Sequence, residues 1–162
     1  MIETMLLNYV EKNAKMNTTT LAEMLAVEES EVLETLNDLE KEKVILGYHT
    51  IINWDKTNTE KVNALIMVDA TPEREHGYDN IAKKIYSYPE VEDMYLMSGK
   101  SDFVLMIQGK TMKEIADFTA TKLACIDGVT GTNTIFIMQT YKANGFIYAE
   151  EENKRERLVV TP

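Results

Sequence analysis

The chain has 162 residues, 44% of them hydrophobic and 27% charged, and carries a formal net charge of −10. These proportions fit a globular protein of one large or two small domains and exclude wholesale disorder and collagen-like repeats. No uncharged apolar run approaches the roughly 20 residues of a membrane span. Glu3, Glu11, Glu23, Glu28 and Glu29 make the beginning unlike a basic-then-apolar export signal, so a cytoplasmic protein without membrane contact is expected.

The first 47 residues hold ten acids against four lysines, and no arginine precedes Arg74. Met5, Leu6, Tyr9 and Val10 recur at helical spacing and predict a first helix. Thr18, Thr19 and Thr20 offer capping oxygens to a short second helix over Leu21–Ala26, with Glu23 placed for a capping box. A third helix follows, capped by Ser30 or a preceding glutamate, with Val32, Leu33, Leu36 and Leu39 as its inner face. Three short helices joined by tight turns predict a helix-turn-helix domain over 1–47. Val44–Ile52 alternates like a short strand, a wing or connecting hairpin, and residues 48–62 read as strand and polar linker.

The rhythm then changes. Alternation over Ala64–Asp69 predicts a strand, and Ile81, Ala82 and Ile85 predict a helix over His76–Ser87 that stops before Pro89. Val91–Ser98 and Phe103–Gln108 read as strands joined by the hairpin-length connection Gly99-Lys100-Ser101-Asp102. Met112, Ile115, Ala116, Thr119, Leu123 and Ile126 mark another helix, and Thr132–Tyr141 a last strand. The order β-α-β-β-α-β over 63–145 is that of a ferredoxin-like sandwich, so the fold class is α+β: helix-turn-helix, winged-helix-like, then a ferredoxin-like domain. Its strands are apolar on both faces, with Leu65 and Met67 opposite Ile66 and Val68. Two helices cover one face only, and the other is expected to meet a second copy of itself. Residues 146–162 read as a charged, solvated tail.

The sequence resembles the Lrp/AsnC family of transcriptional regulators over roughly residues 1–145. The resemblance is carried by Leu21-Ala22, by Leu39-Glu40 leading into Val44-Ile45-Leu46-Gly47-Tyr48, by Gly99-x-x-Asp102, and by Gly128-Val129 before Thr132-x-Thr134 and Tyr141-Lys142. It implies a DNA-binding N-terminal domain and a C-terminal domain that dimerises, assembles further and senses amino acids. It also implies that the Gly-x-x-Asp turn lies at the effector site, which carries over to Gly99 and Asp102. Lys100, Ser101, Thr132 and Thr134 join them as neighbours. The chemistry is sound in its own right: a carboxylate accepts from an effector's ammonium, while hydroxyls and backbone N–H groups beside a glycine donate to its carboxylate. Gly99 and Asp102 also suit an ordinary turn, glycine by permitting a positive φ and aspartate by bonding to the backbone.

One stretch departs from the family pattern. Where the third helix of such proteins carries basic residues and ends in glycine, this chain has Glu34, Thr35, Asn37 and Asp38, and then Lys43. Glu31, Glu34 and Asp38 share the outward face. Acids in a first helical turn suit the dipole, which explains Glu28, Glu29 and Glu31 but not Glu34 or Asp38. A recognition helix works between two rows of phosphates, which three carboxylates repel. The residues available for DNA contact are Lys15, Ser30, Glu34, Thr35, Asn37 and Asp38. Two readings follow: an amino-acid-responsive, DNA-binding regulator acting as a dimer or higher oligomer, or an effector-sensing oligomer that works through a protein partner. Enzyme chemistry is not expected, because His49, His76 and Cys125 fall in separate elements and no nucleophile, phosphate-loop or zinc motif occurs. The single cysteine excludes an intrachain disulfide, and no metal or cofactor is implied.

Overall fold

The structure is a computed structural model that describes residues 2–148. The chain divides into two compact units after Ile52.

The first unit is three helices, α1 (Ile2–Lys12), α2 (Thr18–Leu25) and α3 (Glu29–Lys41). Leu6, Leu21, Ala22, Val32 and Leu39 form its core, with Leu36 and Ile45 packed against them. The buried arc of α3 runs through 32, 36 and 39, at i, i+4 and i+7. Leu33 lies off that arc and is 46% exposed, contrary to the inward placement expected of it. The cap of α2 is Asn17, whose side chain accepts from the Thr20 N–H at 2.7 Å, not one of the three threonines. Those threonines are already helical, and the hydroxyls of Thr18 and Thr19 donate to the Glu29 carboxylate, tying the start of α2 to the start of α3.

The turn between α2 and α3 passes through Ala26 in the left-handed region, at φ 55°. α3 ends the same way at Lys43, φ 61°. There the Val44 N–H donates to the Leu39 carbonyl at 2.9 Å and the Lys43 N–H to that of Glu40 at 3.2 Å. That pair of bonds is a Schellman motif, whose left-handed position is usually glycine. The physical reason for a glycine at this point is therefore visible, and Lys43 occupies the position at a cost in backbone strain. Beyond it the expected strand over 44–52 is absent: residues 46–53 pair with no strand among the described residues. Alternation gives a segment two distinct faces, but a strand also needs a neighbour for its N–H and C=O groups.

The second unit contains β1 (Val62–Ala70), α4 (Asp79–Tyr86), β2 (Val91–Leu96), β3 (Phe103–Gly109), α5 (Met112–Thr121) and β4 (Val129–Phe136). The sheet order is β2-β3-β1-β4, antiparallel throughout. The register sets Leu65 opposite Met106 and Ile135, and Met67 opposite Val104 and Asn133. Ala64, Ile66, Val68, Phe103, Leu105 and Ile107 turn to the helix side and form the core with Ile81, Ile85, Ile115 and Phe118. Leu65, Met67, Val104, Met106 and Ile135 occupy the other side, which no helix of this unit covers among the described residues. Gly128 is required between α5 and β4: its φ is +95°, and a Cβ there would stand 2.7 Å from Ile81 Cδ1. β4 starts and ends earlier than the expected Thr132–Tyr141. Residues 142–147 instead fold into a small hairpin, β5 (Lys142–Ala143) and β6 (Phe146–Ile147), around Asn144 (φ 48°) and Gly145 (φ 84°). Asn-Gly suits such a turn because both central residues need positive φ. The expected tail over 146–162 thus begins inside β6, and its remainder from 149 lies outside the described residues.

Candidate functional site

The Gly99–Asp102 connection sits at the end of the sheet where β2 passes to β3. Asp102 anchors it. Its backbone N–H donates to the Val68 carbonyl at 3.1 Å, and its own carbonyl accepts from the Met97 N–H at 2.8 Å. The carboxylate spans two further elements: Oδ2 accepts from the Ala70 N–H at 2.8 Å, and Oδ1 from the Tyr78 hydroxyl at 2.6 Å. The Tyr78 ring stands edge-on to Phe103, with centroids 5.4 Å apart. The Ala70 N–H and then the Tyr78 hydroxyl hold the Asp102 carboxyl below its ordinary pKa, and the same bond holds the Tyr78 phenol above its own. Asp102 is thus an ionised acceptor with each oxygen engaged once. A carboxylate has about four lone-pair positions, so it retains capacity for a further donor.

Gly99 is not in the left-handed region, contrary to what an ordinary glycine turn would require, and a Cβ placed on it would meet nothing within 4 Å. Neither backbone conformation nor packing among the described residues demands glycine there. Lys100 is exposed and Ser101 half-buried.

Thr132 and Thr134 are not brought to this turn. They lie on β4 opposite Val68 and Ile66, on the helix-covered side, while Phe103 flanks Val68 from the other direction. β1 therefore runs between them and the turn, a separation of two strand spacings, about 10 Å. Tyr78 and the Ala70 N–H complete the Asp102 arrangement, and sequence reasoning missed both. No local pattern joins a tyrosine to an aspartate 24 positions away.

A cavity of about 310 Å³ lies at the opposite end of β3, lined by Ile107, Phe118, Glu90, Glu114, Asp117 and Lys122 among others. Most of its charged groups are engaged, although Glu90 Oε2 is buried without a hydrogen-bond partner among the described residues. Lys122 pairs with Glu90, Lys113 with Asp117, and Glu114 accepts from the Lys110 N–H. The chemistry of the turn is remote from this cavity, and the hydrogen-bonding geometry at Asp102 outweighs cavity size in locating a polar site.

On the first unit, Ser30, Glu31, Glu34, Asn37 and Asp38 are exposed or half-exposed on α3, and Lys15 is exposed in the α1–α2 turn. The Thr35 hydroxyl donates to the Glu31 carbonyl at 2.7 Å, which leaves only its oxygen lone pairs free. Asp38 pairs with Lys41 at 3.1 Å. The outward face of α3 is therefore acidic in three dimensions as well as in sequence.

Three helices in helix-turn-helix order, followed by a βαββαβ sandwich with a polar turn at one end of its sheet, give the architecture of a two-domain protein of helix-turn-helix type. Residues 63–146 match the Lrp/AsnC ligand binding domain. Over 161 residues the chain is 39% identical to the uncharacterised HTH-type transcriptional regulator YugG of Bacillus subtilis, covering 99% of this chain and 96% of that one. It is 26% identical to the leucine-responsive regulatory protein of Haemophilus influenzae, covering 90% and 87%. In structure it is similar to the regulator NMB0573 of Neisseria meningitidis, solved with L-Met. The TM-score is 0.70 at 20% identity, covering 88% and 91% of the two chains. The chain belongs to the Lrp/AsnC family. It is a transcriptional regulator, and the family is one of regulators rather than enzymes.

Proposed function

We propose that the protein is a cytoplasmic, amino-acid-responsive regulator that binds DNA as a homodimer or a higher oligomer. Among the described residues, no helix is long and apolar enough to cross a membrane. The observation that carries the sensor half is the Asp102 carboxylate, ionised and fixed at the sheet end beside a glycine with open space above it. An amino acid's ammonium donates to Asp102, while the turn's backbone N–H groups and the Ser101 hydroxyl face its carboxylate, with Lys100 as the nearby cation. Thr132 and Thr134 belong to the site only through what a second copy or the effector's side chain brings to β4. Relatives bearing a leucine-responsive name and an L-Met complex support an amino acid as the ligand class.

The uncovered sheet face supports the oligomer. Leu65, Met67, Val104, Met106 and Ile135 form one continuous apolar layer, and a twofold partner would present the same layer in return. Lys15, Ser30, Thr35 and Asn37 supply the polar DNA contacts, with Glu34 and Asp38 opposing the phosphates. Several weak half-sites in one oligomer then gather affinity that one acidic helix lacks. The exposed Glu31, Glu34 and Asp38 favour one second reading, an effector-sensing oligomer docking a basic protein partner through α3.

Fluorescence anisotropy separates the two readings, using the protein's own upstream DNA and a scrambled duplex, at low and moderate salt, with and without an amino-acid mixture. Tighter binding to the native fragment that survives moderate salt and responds to the mixture supports the DNA reading. Equal or absent binding to both duplexes transfers support to the protein-partner reading.

A further inference from the structure

We infer that Tyr78 is the positioning residue of the effector site, orienting the Asp102 carboxylate for an incoming ammonium group; the inference rests on the effector reading of the Gly99–Asp102 turn.

Asp102 Oδ2 is held by a backbone N–H at Ala70, at the end of β1 and beside the irregularity in its pairing with β4. One bond to one oxygen restrains the carboxyl group but still lets it rock about its Cβ–Cγ axis as far as that bond can bend. The second bond, from the Tyr78 hydroxyl to Oδ1, fixes that rotation and therefore the plane in which the unused lone pairs lie. The hydroxyl is itself placed by a packed ring: Tyr78 stacks its edge against Phe103, the residue next to Asp102, and immediately precedes α4. Ring, carboxylate and strand end thus form a closed loop, β1 to turn to helix start and back.

Tyr78 touches the acceptor and is not assigned a contact with the effector. Its effect is directional and falls on the ammonium alone. An effector's carboxylate and side chain meet other groups, so losing the hydroxyl weakens ammonium recognition without weakening the rest.

The test uses the full chain and isothermal titration with the standard amino acids. The tightest binder is then compared with its des-amino counterpart, the same acid with hydrogen in place of the ammonium. Tyr78→Phe removes only the hydroxyl and keeps the ring against Phe103. It should lower affinity for the amino acid by about tenfold, the order of one hydrogen bond to a charged group, and leave the des-amino acid unchanged. The ratio of the two affinities is internal to each variant, so an altered melting temperature does not obscure it. A loosened fold would weaken both ligands together, and that result overturns the inference. Asp102→Asn, which still accepts from Ala70, separates the levels. If it costs the amino acid at least as much as Tyr78→Phe does, Asp102 is the acceptor and the Tyr78 result stands. If Asp102→Asn changes nothing, or the unaltered chain binds no amino acid, the effector reading falls and takes the Tyr78 inference with it. If Asp102→Asn discriminates and Tyr78→Phe does not, only the role of Tyr78 is overturned.

Discussion

Reversing the charge on α3 is the most informative perturbation of the first unit. In Glu34→Arg with Asp38→Arg, both replaced side chains are exposed, so the core of Leu6, Leu21, Val32 and Leu39 is untouched. The double substitution breaks the Asp38–Lys41 pair, whose side chains are 57% and 75% exposed, worth at most about 0.5 kcal/mol on a helix surface. The fold should therefore survive, with Lys41 released as an additional cation. If α3 lies between phosphate rows, two new phosphate contacts steepen the dependence of log affinity on log salt by about 1.8. Between about 50 and 200 mM salt that slope difference amounts to about a twelvefold larger loss of affinity than in the parent chain. Anisotropy on a nonspecific duplex across that range reads it directly, with circular dichroism confirming the helices. An unchanged slope with intact helices would refute docking of α3 at the groove, whatever the affinity of the parent protein.

Three further outcomes rest on the geometry of single residues. Lys43→Gly relieves a left-handed residue at the end of α3, and the strain recovered, less the entropy of a more flexible unfolded chain, should stabilise the first unit by about 0.5–1 kcal/mol in denaturant melts; Lys43→Ala should not. Asp102 has a folded pKa below its unfolded one, so it contributes stability above the ordinary carboxylate range that is lost as pH falls through the folded value, below about pH 4. Asp102→Asn should flatten that acid limb in thermal melts, measured against Glu90→Gln because Glu90 is depressed beside Lys122 and titrates in the same direction. If the uncovered sheet face is the twofold contact proposed above, Met106→Asp places a charge in it twice and should weaken dimerisation by more than about a hundredfold in light scattering while strand content is retained; an unchanged mass would refute the sheet face as the contact.

The second unit is the more legible half, because β strands and amphipathic helices announce themselves by period. The alternation at Ala64, Ile66 and Val68 and the 3–4 spacing at Ile81 and Ile85 both come from one-sided burial, and that burial is what the structure shows. Sequence and structure differ where period and environment part. Leu33 is apolar and adjacent to Val32, yet the arc of α3 that touches α1 and α2 is too narrow to include it. Val44–Ile52 alternates without a neighbouring strand among the described residues. Asn144-Gly145 is a strong hairpin signal, but it falls between an apolar alternation that overstates the final strand and a run of charge that resembles a tail.

The site is less legible than the fold for a different reason. Asp102 and Gly99 sit in a turn whose residue types suit turns in general, so their chemistry is concealed by their commonness. What sets them apart is relational: a tyrosine from the start of α4 and an amide from the end of β1 converge on one carboxylate. A glycine in the same turn has no conformational duty to perform. Lys43 shows the converse. There the sequence departs from a family glycine, and the backbone keeps the glycine's conformation, φ 61°. The Schellman bonds from Val44 and Lys43 hold that conformation against the side chain's preference, so the motif that ends the third helix is set by its hydrogen bonds rather than by its residue. The acidic face of α3 is carried by exposed side chains that take no part in that motif or in the core. Reversing two exposed charges therefore tests the proposed choice between DNA and a basic protein partner without altering the packing of the helix.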